Sequence, residues 1–272
     1  MRISCQAKSE GKGAKRMNVG EQFRLDGKVA LVTGCGRTNG LGFGMAQGLA
    51  EAGADIVGID VQDLAEARTL LEQTGRRFLG IRQDLSIPRS IECVVRQTVE
   101  EMGRIDILVN NAGIIRRTPA VDFSEKDWDD ILQVNLKTVF FLSQAVARVF
   151  IAQGSGGKII NIASMLSFQG GINIPAYTAS KSGVAGITRA LACEWAKSRI
   201  NVNAIAPGYM ATDNTAALRA DAVRSAAILD RIPAGRWGEN SDLKGVIVFL
   251  ASPASDYVHG HILAVDGGWL AR

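Results

Sequence analysis

The chain has 272 residues, 47% of them hydrophobic and 21% charged, a length that fits one large domain and excludes a second full one. Its formal charge of +4 sits in residues 1 to 16, where Arg2, Lys8, Lys12, Lys15 and Arg16 stand against Glu10; the remainder is neutral, so no nucleic-acid partner is expected. Cys5, Cys35, Cys93 and Cys193 form no Cys-x-x-Cys pair, which excludes the common zinc and disulfide frameworks and suits a reducing compartment.

Residues 1 to 16 are rich in Gly, Ser and Lys and read as a flexible tail, with Met17 a candidate start. The domain division expected is a tail over 1 to 22 and a single body over 23 to 272. No secretory h-region and no run of about 18 apolar residues is read, so the protein is expected to be cytoplasmic, with no membrane partner. Short β-branched runs predict strands at Val29 to Thr33, Asp55 to Asp60, Phe78 to Gln83, Ile107 to Asn110, Lys158 to Ile162, Asn201 to Ala206 and Ile262 to Val265. Helical periods predict crossovers at Gly42 to Ala52, Leu64 to Gln73, Ser90 to Met102, Glu125 to Phe150 and Ala176 to Lys197, with Ser124 as an N-cap. This alternation implies a single α/β domain, a doubly wound seven-stranded parallel sheet of the Rossmann type. A polar, partly helical stretch near 209 to 238 follows the sixth strand and reads as a substrate lid over the carboxyl ends of the strands.

The first strand runs into Gly34-Cys35-Gly36-Arg37-Thr38-Asn39-Gly40-Leu41-Gly42, a glycine-rich turn that opens a helix. Glycines let backbone N–H groups approach a pyrophosphate, and the helix N-terminus favours negative charge. Such a turn is also compatible with plain chain reversal, but Asp60 stands at the end of the second strand. A carboxylate there grips a ribose 2′-hydroxyl and repels a 2′-phosphate, which favours NAD over NADP, although Arg37 lies on a loop from which a phosphate is within reach.

Tyr177 and Lys181 are four positions apart in a helical pattern and share one face. The ammonium is expected to lower the phenol pKa and let it exchange a proton with a substrate oxygen. Ser164 follows the fifth strand and is placed to hydrogen-bond an alkoxide, or to cap a turn. Asn135 is an amide inside an otherwise apolar helix pattern, where a satisfied core amide is the plainer alternative.

With Asp84-Leu85, Asn110-Asn111-Ala112-Gly113 and Pro207-Gly208, these residues make the chain resemble the short-chain dehydrogenase/reductase family from Leu25 to Arg272. The resemblance implies a catalytic tetrad of Asn135, Ser164, Tyr177 and Lys181, with Asn135 holding a relay water and Lys181 also binding the nicotinamide ribose. It implies that Asp84 and Leu85 flank adenine and that Asn111, Ala112 and Gly113 support the cofactor. Pro207, Gly208, Met210 and Thr212 then receive the nicotinamide end. The chain departs from the family pattern in one place: five residues separate Gly34 from Gly40, two more than usual. Gly36 and Asn39 are expected to absorb the insertion as a wider turn.

Within the family the resemblance is densest to members acting on deoxy-keto sugar acids; a gluconate 5-dehydrogenase and a 3-oxoacyl carrier reductase remain alternatives, and a non-catalytic NAD sensor is a further one. A guanidinium suits a sugar-acid carboxylate. Arg116 is the first candidate and Arg236 the second, while Arg117 reads as a solvated neighbour. Met165, Gln169, Tyr209 and Trp237 are candidates for the sugar side, or for simple packing. His259 and His261 have no third partner nearby and read as surface residues, so no metal is expected. Trp269 is expected at a subunit contact, and the resemblance implies a homotetramer.

Overall fold

The structure, a computed structural model, describes residues 18–272; the tail expected over residues 1–17, with Cys5, lies outside them. Residues 18–22, which the sequence reading assigned to that tail, instead contain helix α1 (Val19–Gln22). The Glu21 amide donates to the Asn18 side chain and the Asn18 amide to the Glu21 carboxylate, a closed capping box.

The β-branched runs form seven parallel strands: β1 (Val29–Thr33), β2 (Asp55–Asp60), β3 (Phe78–Arg82), β4 (Ile107–Asn110), β5 (Gly157–Ile162), β6 (Ile200–Pro207) and β7 (Ile262–Val265). Their spatial order is β3-β2-β1-β4-β5-β6-β7. The order reverses between β1 and β4, and such a switch point opens a crevice at the carboxyl ends of the strands. Successive residues of β1 face opposite ways: Ala30 and Val32 join one core with Phe43, Leu49 and Ile247, while Val29 and Leu31 join the other with Val146, Phe150 and Leu191. These helical side chains come from α2 (Leu41–Glu51), α6 (Thr138–Gln153), α7 (Pro175–Trp195) and α10 (Lys244–Ala251); the chain also forms α3 (Ala65–Glu72), α4 (Pro88–Met102), α5 (Glu125–Leu132), α8 (Ala216–Ala220) and α9 (Ala222–Arg231).

The helix expected from Glu125 to Phe150 is broken by a π-helical turn at Gln133–Lys137 between α5 and α6. Taken through that turn, the helix Glu125–Gln153 contains an 18-residue window with a mean hydropathy of 1.3, long and apolar enough by composition alone to cross a membrane, where no such run was expected. Leu142, Val146 and Phe150 pack it against the sheet as a core helix.

Between β6 and α10 the chain makes an excursion through α8 and α9. A parallel bridge between Met210 and Gly238 closes its base, where the Ala211 amide donates to the Gly238 carbonyl at 2.7 Å and the Gly238 amide to the Tyr209 carbonyl at 2.9 Å. Helix α9 buries none of its residues, so the excursion is held at its base more firmly than along its length.

Candidate active site

A cleft of about 540 Å³ opens at the switch point. Its floor depends on close backbone packing around the glycine turn. Gly34 has φ +69° and a Cβ there would lie 2.9 Å from the Ala112 Cα, while a Cβ at Gly42 would overlap the Gly34 carbonyl. The Asn111 side chain donates to the Thr33 and Gly34 carbonyls, both at 2.9 Å. The Thr33 hydroxyl accepts from the Asn111 and Ala112 amides at 3.0 and 2.9 Å. The ends of β1 and β4 are thereby locked together.

Gly34, Asn39, Gly40, Leu41, Asp60, Asp84, Leu85, Asn111, Ala112, Gly113 and Thr212 all line the cleft. Gly36 contributes differently: its amide donates to Asp60 Oδ2 at 2.8 Å. Gly42 allows α2 to approach the turn. Three expected cofactor contacts are not brought into the cleft. Met210 is buried with its sulfur against Gly238, and Pro207 and Gly208 end β6, with Gly208 packed on Asp266. The widened turn is also more than a wider turn. Arg37 Nη1 and Asn39 Nδ2 each lie 2.7 Å from the Asp213 carboxylate, just beyond β6.

Tyr177 and Lys181, one turn apart on α7, both face the cleft. Ser164 adjoins the Tyr177 phenol, and its hydroxyl accepts from the Leu166 amide at 3.2 Å. The expected lowering of the phenol by Lys181 is not what this arrangement produces. Burial pushes the Tyr177 phenol above its ordinary value, ahead of the Ser164 hydrogen bond and the Arg117 charge, which act downward. Lys181 Nζ donates to the Ile162 carbonyl at 2.6 Å and lies 5.6 Å from the Tyr177 ring centroid; burial draws it down to about 8.

Asn135 lies in the π-helical turn and is buried. Its Oδ1 accepts from the Ile114 amide at 2.8 Å, and its Nδ2 donates to the Ile114 carbonyl at 2.9 Å and to Ser180 Oγ at 3.2 Å. This side chain fixes the loop after β4, with both amide hydrogens donated and its oxygen accepting once.

The substrate candidates separate. Arg116 lines the cleft with Nε 3.7 Å from the Asp127 carboxylate. Arg236 is tied to Asp242 by two hydrogen bonds of 2.7 and 2.8 Å and lines a second cavity of about 180 Å³ beside Tyr209, outside the main cleft. Met165 is buried in a cluster against which Tyr177 and Tyr209 pack. Gln169 Oε1 accepts from Trp269 Nε1 at 3.2 Å, and Tyr209 meets Trp237 and Trp269 edge-on at 5.6 and 4.8 Å. Trp269 is buried within the chain, which corrects its expected place at a subunit contact. His259 Nε2 lies 3.1 Å from Asn201 Nδ2. The sequence reading missed Asp213, and it set aside Arg117, whose charge reaches the Tyr177 phenol.

Residues 34–270 match a family described as enoyl-(acyl carrier protein) reductase. The chain is 66% identical over 250 residues to a 2-dehydro-3-deoxy-D-gluconate 5-dehydrogenase of Escherichia coli, covering 92% of this chain and 98% of that protein. It is 56% identical to one of Bacillus subtilis, covering 93% and 98%. Among solved structures it is similar to a putative 2-deoxy-D-gluconate 3-dehydrogenase of Agrobacterium tumefaciens with bound NADP, at TM-score 0.86 and 53% identity, covering 92% of this chain and 99% of that one.

Proposed function

The chain belongs to the short-chain dehydrogenase/reductase family, and on that premise we propose that it moves a hydride between NAD and the secondary alcohol or ketone of a deoxy-keto sugar acid, of the 2-dehydro-3-deoxy-D-gluconate type. It is an oxidoreductase of the sugar-acid dehydrogenase type. The observation that carries the reading is the Tyr177 phenol, set in the cleft wall beside Ser164, where a substrate oxygen finds a proton donor and a hydroxyl together.

A dinucleotide fits the residues present. The cleft lies at the N-terminus of α2, Gly34 and Gly42 leave backbone where a Cβ would intrude, and Asp60 stands at the far wall. Gly40, Leu41 and Asn39 would hold its phosphates, Asp60 a ribose hydroxyl, and Asp84 and Leu85 its adenine; when bound it supplies the hydride acceptor or donor. Asp60 favours NAD by charge, whereas the Agrobacterium structure carries NADP.

In reduction Tyr177 gives its proton to the carbonyl oxygen as negative charge develops there, and in oxidation it takes that proton back. Ser164 donates to the same oxygen and stabilises the charge. Lys181, two-pronged in its duties, anchors to the Ile162 carbonyl and presents a buried ammonium below the phenol. Asn135 holds the Ile114 backbone and so fixes the loop that ends at Arg116 and Arg117. The half-exposed Phe141 and Ile151 on α6 leave apolar surface that suits assembly into a cytoplasmic homotetramer.

The test is a 340 nm assay of hexonate and deoxy-ketohexonate acids with NAD and NADH. Tyr177→Phe is expected to bind NADH yet lose turnover by about 10²- to 10⁴-fold. Turnover restricted to uncharged steroids or acyl thioesters would overturn the assignment.

A further inference from the structure

One turn of helix reaches both ends of the cleft. In an α-helix, at about 3.6 residues per turn, positions five apart point about 140° away from each other. The π-helical turn at Gln133–Lys137 is wider, with the Thr138 amide donating five residues back to the Gln133 carbonyl. Gln133 and Thr138 consequently come to one side, toward the loop between β3 and α4. Gln133 Nε2 donates to the Ser86 carbonyl at 2.9 Å, and the Thr138 hydroxyl makes a three-centre contact with the Leu85 and Gln133 carbonyls at 3.1 and 2.9 Å. Asn135, between them, reaches the other way, to the Ile114 backbone and to Ser180, whose hydroxyl donates to the Tyr177 carbonyl at 2.7 Å. The loop so held is a wall of the cleft: Asp84, Leu85 and Ser86 line it, as do Val134 and Thr138 of the helix. Within the loop, Asp84 Oδ1 accepts from the Ser86 amide at 2.8 Å and Ser90 Oγ donates to the Asp84 carbonyl at 2.7 Å. These two bonds shape the wall, and the bonds from Gln133 and Thr138 set it against the helix that also carries Asn135.

We propose that Gln133 and Thr138 are positioning residues for the adenine end of the dinucleotide, acting through the Ser86 and Leu85 carbonyls they hold. The proposal rests on the dinucleotide reading above. A wall kept in its binding conformation before the ligand arrives loses less binding free energy to ordering, so these two side chains raise cofactor affinity without touching the reacting atoms. The π-helical turn then works as a spacer. On one side it sets the adenine wall, and on the other, through Asn135 and Ser180, the backbone of Tyr177. A regular α-helix could not present Gln133 and Thr138 to one loop and Asn135 to the opposite one, which gives the irregular turn a physical reason to sit at this point of the chain.

The test titrates ADP-ribose, which carries the adenine half and no nicotinamide, into the enzyme by calorimetry, alongside KM for NAD and kcat at saturating substrate. Gln133→Met and Thr138→Val each remove a donor at similar volume. Each is expected to raise the Kd of ADP-ribose and KM for NAD about three- to tenfold, the worth of one hydrogen bond, with the change in KM exceeding any loss in kcat. Thr138→Ser keeps the hydroxyl and should bind ADP-ribose within about twofold of the parent. Thr138 is buried and Gln133 only half-buried, so Gln133→Met decides the matter if Thr138→Val fails to fold. Losses confined to kcat, or a Thr138→Ser variant as weak as Thr138→Val, would overturn the positioning role. A parent that binds neither ADP-ribose nor NADH would overturn the dinucleotide reading and this role together, whereas a parent that binds both and is matched in ADP-ribose affinity by Gln133→Met would overturn the positioning role alone.

Discussion

The Arg37 guanidinium lies 2.7 Å from the Asp213 carboxylate, and Asn39 donates to the other oxygen of the same group at the same distance. Arg37 and Asn39 of the widened glycine turn therefore bridge the cleft to the segment that leads into α8 and α9. Thr38 extends the contact, its carbonyl accepting from Asn240 Nδ2 and its hydroxyl donating to Glu66. Asn39 and Arg37 hold the Asp213 carboxyl below its ordinary range, so the bridge is present at neutral pH and is lost only as pH falls through that lowered value. Exposed pairs contribute about 0.2–1 kcal/mol, so Asp213→Ala should accelerate NADH release about two- to fivefold in stopped-flow, with the effect fading at high salt. Release unchanged at low salt would mean that the bridge does not span the path of the cofactor.

If the proposed preference for NAD holds, Asp60 bears on the choice of dinucleotide through two effects. Its carboxylate repels a 2′-phosphate, and it occupies the Gly36 and Gln62 amides at 2.8 and 2.9 Å, donors that a phosphate would otherwise use. Asp60→Ala removes the charge and frees both N–H groups. The ratio of kcat/KM for NAD over NADP should fall about tenfold or more, corresponding to roughly 1.4 kcal/mol. An unmoved ratio would place ribose recognition on other residues.

Much of this was legible in the sequence for physical reasons. A parallel strand covered on both faces is a continuous apolar run, so β1 and β4 could be bounded to the residue. Tyr177 and Lys181 share a helix face by spacing alone, and Gly34 betrays its positive φ by being glycine after a strand. The π-helical turn was not legible, because one extra residue in a turn hardly disturbs the apolar period on either side of Gln133–Lys137. Nor was the difference between Arg116 and Arg117. These neighbours are alike in sequence, and only the fold brings Asp127 to one and the Asn214 carbonyl to the other. The Arg37 and Asp213 pair spans 176 positions and leaves no local trace.

The Tyr177 phenol, raised by burial in the ligand-free enzyme, should remain protonated at pH 9. A bound cationic nicotinamide favours the phenolate, so adding NAD+ should lower this pKa. Ultraviolet difference spectra near 295 nm, taken against Tyr177→Phe, should show the phenolate band appear at lower pH with NAD+ than without it. Identical titrations with and without the cofactor would separate the phenol from the nicotinamide site.

Lys181 titrates at about 8 in the folded protein because burial penalises its ammonium, against about 10.4 in an unfolded chain. Below pH 8 both states carry the proton and the fold bears the whole desolvation cost. Between about pH 8 and 10.4 the unfolded chain binds a proton that the folded lysine has released, so stability from this group rises with pH across that window. Lys181→Met removes the titration along with the hydrogen bond to the Ile162 carbonyl, and the lost bond costs the variant a similar amount at every pH. The melting temperature of the variant relative to the parent should therefore be most favourable near pH 7 and decline steadily toward pH 10. A difference that stays level across that range would mean that the ammonium is solvated in the folded enzyme.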